Sequence, residues 1–256
     1  MKPINVVCIK WGDKYPAYYV NRLHGGVKRF MRRPFRFICF TEKSEGIDPA
    51  VEVQPLPVEP FEEQLVRFTT TGTRRGAWRK VCLYQPGLAG MRGPVLGLDV
   101  DVAITGPLDE LVDFAPGKVA MRRDWLEQRR MRPGANSSVF RFDPSLHSYI
   151  YEEFAADPEG CVSRARRQEQ RHTSLTALAH GDLEYFPGHW IRSFKRDSIP
   201  WPPLNHFIEP KIPADARVVC FHGRPKMDEA LVGHRGGFTR STLPARWLER
   251  HWVAAD

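Results

Sequence analysis

Pro94-Val95-Leu96-Gly97-Leu98-Asp99-Val100-Asp101-Val102 is an apolar run that ends in two carboxylates one residue apart. Residues two apart on a strand return to the same face. A regularly pleated strand therefore points Asp99 and Asp101 the same way, where their charges repel unless something positive lies between them. Hard divalent cations such as Mg²⁺ or Mn²⁺ prefer carboxylate and phosphate oxygens and are the usual remedy. In open α/β sheets ligands bind beyond the carboxyl ends of the strands, and these acids fall at such an end.

The flanking sequence supplies the rest of an α/β fold. Val6 to Ile9 reads as a first core strand. Pro16 opens a helix, since proline is tolerated in a first helical turn, and Tyr19, Leu23, Val27 and Phe30 form its apolar stripe. Phe35 to Phe40 and Val51 to Val53 read as strands, which gives the β-α-β-β order of a mostly parallel sheet. Residues 55–75, rich in Pro, Thr and charge, read as a surface loop, followed by a helix from about Gly76 to Tyr84. Leu108 to Phe114 reads as a short helix, and Lys118 to Met121 and Ser138 to Phe142 as strands. Ser145 is placed to cap a helix through Phe154, and Gln168 to Ala179 reads as another helix. Arg217 to His222 is a late strand, and Leu243 to Val253 a terminal amphipathic helix.

Composition narrows the class. The 256 residues suffice for one large α/β domain or for two small ones, and 42% hydrophobic with 27% charged residues is ordinary for a soluble globular protein. No apolar run is long enough to span a bilayer, and the N-terminus lacks a signal-peptide pattern. Five cysteines without a C-x-x-C pair argue against disulfides and structural zinc, and predict a reducing cytoplasm. The net charge of +8, from 38 Lys+Arg against 30 Asp+Glu, suits an anionic partner: a phosphorylated small molecule, a membrane surface or a nucleic acid. No zinc-finger, RNP-like or basic-zipper pattern accompanies the charge, so no nucleic acid is expected. No phosphate loop or dinucleotide fingerprint occurs either. Haloacid dehalogenase phosphatases also carry D-x-D after an apolar strand, but near the N-terminus with Thr two residues on; here that position is Ala103 and the pair lies mid-chain.

Several segments resemble, in order, GT-A fold glycosyltransferases, especially bacterial relatives of glycosyltransferase family 8. Val95 to Val102 resembles their D-x-D segment, and Trp11-Gly12-Asp13-Lys14-Tyr15 with Tyr19 to Leu23 resembles their opening. Phe35 to Thr41 is similar to their second strand, and Ala77-Trp78-Arg79-Lys80 to the helix before D-x-D. Asn136-Ser137-Ser138-Val139-Phe140 resembles the N-[ST]-G-V segment, with Ser138 in place of the glycine. Phe221 to Lys226 resembles the late H-x-x-G-x-x-K-P motif. The resemblance spans about residues 4–228. It implies a GT-A-like (Rossmann-like) α/β single domain whose mixed, mostly parallel central sheet is flanked by helices. About 1–120 would be the nucleotide-binding half, about 121–230 the donor-sugar and acceptor half, and about 231–256 a C-terminal basic tail or helix.

The same resemblance implies roles. A nucleotide sugar, most naturally a UDP-sugar, would be the donor, and a glycan or lipid-linked molecule the acceptor. Mn²⁺ or Mg²⁺ would be held by Asp99, Asp101 and a third ligand. The family's ligand histidine aligns with Cys220, whereas His222 directly precedes Gly223; both share a face if the strand continues, and imidazole suits Mn²⁺ better, which favours His222. Lys226 would bring an ammonium onto the diphosphate, with Lys80 also on the donor side, and Trp11 and Tyr15 would stack on the base. Asp124 and Asn136 would contact the donor sugar, and Glu169-Gln170 stands where the family shows Asp-Gln. A carboxylate there could orient the acceptor or steady an oxocarbenium-like sugar. Retention of configuration would follow from family 8. Two other classes compete: a non-catalytic nucleotide-sugar or glycan binder of the same fold, and a basic nucleic-acid-binding protein. The basic chain and its Trp-containing C-terminal segment suit peripheral docking on an anionic inner leaflet, and equally a packed helix. The sequence sets no oligomeric state.

Overall fold

A computed structural model describes residues 3–70, 78–129 and 133–255. Its strands are β1 (Ile4–Lys10), β2 (Phe35–Thr41), β3 (Glu52–Gln54), β4 (Val95–Leu98), β5 (Val102–Ile104), β6 (Val119–Arg123), β7 (Ala135–Phe142), β8 (Leu183–Tyr185), β9 (Ile191–Ser193) and β10 (Val218–Cys220). Its α-helices are α1 (Ala17–Phe30), α2 (Glu62–Thr70), α3 (Asp109–Asp113), α4 (Trp125–Arg129), α5 (Tyr149–Ala156), α6 (Pro158–Arg164), α7 (Glu169–Ala179), α8 (Met227–Val232) and α9 (Leu248–His251). The main sheet runs β3-β2-β1-β4-β7-β6-β8, and a small sheet runs β5-β10-β9. Strands β3, β2, β1 and β4 pair in parallel, whereas β7 is antiparallel to both β4 and β6. The sheet is thus mixed and mostly parallel, as the sequence predicts.

Burial explains the order. β1 and β4 lie inside the sheet, with Val6, Val7, Val95 and Leu96 fully buried, as continuous apolar runs in parallel sheets require. Tyr19, Leu23 and Val27 of α1 pack into a core that covers one face of the sheet. A second core covers the other, where Trp78 stacks on Phe154 at 5.2 Å between centroids. Gly97 is needed for close approach: a Cβ there would overlap the Phe140 ring of β7.

Several expectations change. Residues 62–70 are helical rather than loop, because Phe61, Leu65 and Phe68 repeat at helical spacing and are buried; residues 71–77 lie outside the described residues. Of the expected Gly76–Tyr84 helix, Trp78–Tyr84 forms a 3₁₀ helix. Ser145 does not cap α5, which begins after Ser148; its hydroxyl donates to Asp143 instead. The terminal helix shrinks to Leu248–His251, and Trp252 turns inward, 4.9 Å from the Tyr19 ring. That C-terminal segment is therefore a packed one, not a free membrane-facing helix. Among the described residues no helix is long and apolar enough to cross a membrane. All five cysteines are free and buried.

Candidate active site

The acid pair does not sit on a continuing strand. β4 ends at Leu98, and Asp99-Val100-Asp101 forms a turn that leads into β5. Two backbone bonds pin the turn: Asp99 N–H donates to Ser138 O of β7 at 2.9 Å, and Phe221 N–H donates to Asp101 O at 3.0 Å. The main sheet thus holds one end of the turn, and the segment after β10 holds the other. Val100 packs into the core while both acids face a cleft of about 490 Å³, which is also lined by Trp11, Lys14, Tyr15 and Lys80. The expectation that both carboxylates share one cleft holds, through a turn rather than a pleat.

Each acid is matched to an ammonium. Lys80 Nζ lies 2.5 Å from Asp99 Oδ1 and donates to Ser137 O at 2.9 Å. Burial pulls the pKa of Lys80 down, but Asp99 and then Glu169 outweigh it and hold the ammonium charged. Lys226 Nζ donates to Asp101 Oδ2 at 2.5 Å, to the Tyr15 hydroxyl at 2.6 Å and to Phe221 O at 3.2 Å. Tyr15 itself donates to Asp101 Oδ2 at 2.5 Å, and burial and then Asp101 raise its pKa, so it remains a phenol. Trp11 is half-buried on the cleft wall.

A buried network extends from Lys80. Glu169, at the start of α7, is only 4% exposed, so it is no surface residue. Ser137 Oγ donates to it at 2.9 Å and Thr173 Oγ1 at 3.0 Å. Burial raises its pKa against the pull of Lys80. Asn136 Nδ2 donates to Gln170 Oε1 at 3.3 Å, while Asn136 Oδ1 accepts from Ser138 N–H at 3.1 Å. The structure thus gathers Asp99, Lys80, Glu169, Asn136 and Gln170 on the β7 side. Asp124 stands apart from this network: it opens α4, where its carboxylate accepts from Leu126 N–H at 2.8 Å. Ser137 and Thr173 complete the network: Ser137 occupies the [ST] position of the N-[ST]-G-V-like segment, whereas Thr173 carries no motif signal and meets Glu169 only one helical turn along α7.

His222 lies just beyond β10, beside Gly223, which borders a second cleft shared with Tyr15 and Lys226. The strand stops at Cys220, so the shared face expected for Cys220 and His222 is not formed. Cys220 is fully packed, and burial pushes its thiol well up, a state unsuited to ligation. His222 stacks on Trp125 at 4.8 Å and shares a 2.8 Å hydrogen bond between Nε2 and Ser193 Oγ. Burial, then Lys195 and Arg196, push its pKa down to about 4, leaving a neutral imidazole. Among the described residues no three His, Cys, Asp or Glu side chains stand together as a closed metal cage. The donor set still fits a hard cation shared between protein and substrate, because Mg²⁺ commonly takes only one or two carboxylates and fills its shell with phosphate and water. The ammoniums at Asp99 and Asp101 show that both carboxylates accept positive charge in this geometry.

No protein-family model matches the chain, and no curated protein matches it. Solved structures do. The galactosyltransferase LgtC, in complex with donor and acceptor sugar analogues, superposes with a TM-score of 0.56 at 14% identity, over 88% of this chain and 89% of that one. Mouse xyloside xylosyltransferase 1 gives 0.55 at 12% identity, over 86% and 98%. The bifunctional glycosyltransferase WbbM gives 0.57 at 11% identity, over 88% of this chain and 46% of that one. At these identities the likeness establishes the fold, which is the GT-A fold of these glycosyltransferases.

Proposed function

We propose that the chain transfers a sugar from a nucleotide-diphosphate sugar, a UDP-sugar by preference, to a glycan or lipid-linked acceptor. One observation carries this reading: two carboxylates on the turn after β4, each with an ammonium, face one cleft that Trp11 and Tyr15 also line. Transfer expels a nucleotide diphosphate, so the site must receive negative charge as the glycosidic bond to phosphate breaks. Asp99 and Asp101 would hold Mn²⁺ or Mg²⁺, which would supply Lewis-acid neutralisation of the leaving diphosphate; His222 would have to turn from Ser193 Oγ to join them as a third ligand. Lys226 adds an ammonium at the same side of the cleft, preorganised by Tyr15 and Phe221 O.

The base stacks against Trp11 and Tyr15. The sugar lies toward β7, where the Asn136–Gln170 pair orients it, and Asp124 closes the far side. Glu169 works through Lys80: its carboxylate is spent on Ser137 and Thr173, so its part is to keep the ammonium aimed at Asp99. Retention of configuration belongs to this reading through the family-8 resemblance alone.

A panel of nucleotide sugars scored by thermal shift with and without Mn²⁺ tests it. The donor should raise the melting temperature by mass action, and only with metal, and should then release nucleotide when acceptor is added. Donor binding with no release for any acceptor would leave a binding protein of the same fold.

A further inference from the structure

Three large aromatic side chains of the C-terminal third stand mostly exposed. Trp201 is 79% exposed, Phe207 77% and Phe238 65%, with Leu204 and Ile208 also exposed beside them. These residues are held in place. Leu204 N–H donates to Trp201 O and Ile208 N–H to Leu204 O, both at 2.8 Å, which closes residues 201–208 into a compact turn. Asn205 Nδ2 donates to Phe238 O at 3.0 Å and to Ser241 O at 2.9 Å, and the His206 ring stacks on Phe238 at 5.6 Å. The two loops are therefore tied together, and their exposed side chains make up an apolar prow. Contiguous exposed apolar surface on a soluble fold marks a contact site.

The charge around the prow says which contact. The loop that carries Phe238, through His234, Arg235, Gly236, Thr239 and Arg240, also walls a cavity of about 700 Å³ that Lys195, Arg196 and Arg224 line from the other side, with no carboxylate in its wall. Among the described residues Lys195, Arg196, Arg235 and Arg240 make no ion pair, whereas Arg224 pairs with Glu229, and the other nearby acids are matched too: Glu209 with Arg246 and Asp197 with Arg192. Burial and then Arg196, Arg240 and Lys226 lower the pKa of Lys195, as expected where like charges crowd one rim. Aromatic wedges ringed by unpaired cations match the headgroup layer of an anionic bilayer, which offers apolar depth to the first and phosphate to the second.

We infer that the prow of Trp201, Phe207 and Phe238, with the cationic cavity beside it, docks the protein on an anionic lipid surface. The cavity shares Gly223 and Arg224 with the cleft that Tyr15 and Lys226 line. Docking therefore brings this second cleft, which Tyr15 and Lys226 join to the acid-pair cleft, toward the lipid, and a lipid-linked acceptor follows if the proposed transfer is correct. The docking itself is independent of that reading.

Flotation of the full chain with phosphatidylcholine vesicles, with and without phosphatidylglycerol, tests it. Binding should require phosphatidylglycerol and weaken with salt. Replacing Trp201, Phe207 and Phe238 together by Ser should lower partitioning at least about tenfold. Arg235→Gln with Arg240→Gln should lower it about twenty-five-fold, at about fivefold per charge. Arg32→Gln with Arg92→Gln removes the same charge from exposed positions before β2 and β4, and should leave binding unchanged. Circular dichroism and melting confirm that each variant folds. The inference is overturned if neutral vesicles bind equally, if the Arg32/Arg92 pair costs as much as the Arg235/Arg240 pair, or if the prow variants bind like wild type. It is also overturned if light scattering finds a dimer that the prow variants dissolve, because a second copy would then be the occupant.

Discussion

Asp99 and Asp101 hold their lysines at the same 2.5 Å, yet the two clamps are built differently. The Lys80 clamp is buried and over-determined: Ser137 and, through it, Glu169 and Thr173 fix the ammonium from the side away from Asp99. The Lys226 clamp reaches Asp101 across 125 residues of sequence from the N-cap of α8, at the border of two clefts. A lysine held by several buried partners resists exchange, because removing it strands the groups that it matches. An ion pair at a cleft border can give up its lysine to an incoming phosphate or cation. The difference points to a division of labour between the lysines, Lys80 held for architecture and Lys226 for exchange, while both carboxylates face the cleft.

The contrast can be broken in three ways. Asp101→Asn keeps the shape but removes the charge, and should lower metal-dependent nucleotide release about a thousandfold while moving the melting temperature little. Release within tenfold of wild type would remove the acid pair from the chemistry. Lys80→Met should instead show in stability, costing about 3 kcal/mol in urea unfolding, because Asp99 and Glu169 are left facing each other without a cation. Adding Glu169→Gln should recover part of that loss, and strictly additive costs would mean that the two do not interact. Lys226→Ala should lower turnover about a hundredfold with unfolding nearly unchanged. A large stability loss there would make the two clamps equivalent.

Much of the parallel half of the sheet was legible because its strands are short apolar runs bounded by turn residues. β1, β2 and β4 all fall where those runs predict them. α2 was not, because its stripe of Phe61, Leu65 and Phe68 sits inside a stretch whose Pro, Thr and charge speak for loop. At the site, the shared cleft of Asp99 and Asp101 was legible from local pattern, and so was the place of Lys226 beside them. Burial of Glu169 was not. Its partners lie 32 residues back at Ser137 and one helical turn on at Thr173, and only the pairing of β7 with α7 makes that position an interior one. The cationic cavity was likewise hidden, since Lys195 and Arg240 are distant in sequence and meet through loops with no periodicity to read.

Gly25 lies mid-way along α1, where a Cβ would strike the backbone of Val253, Ala254 and Ala255. The last residues therefore lie flat on the first long helix, held there by Arg29, which donates to His251 O at 3.0 Å and Val253 O at 3.2 Å. The opposite end of that helix carries Tyr18 and Tyr19, whose hydroxyls donate to Asp228 at 3.0 and 2.7 Å, two residues past Lys226. The helix is thus a strut between the chain's tail and the lysine that reaches Asp101. A methyl group added at Gly25, far from any reacting atom, would lift the tail and transmit tilt along the strut to the cleft.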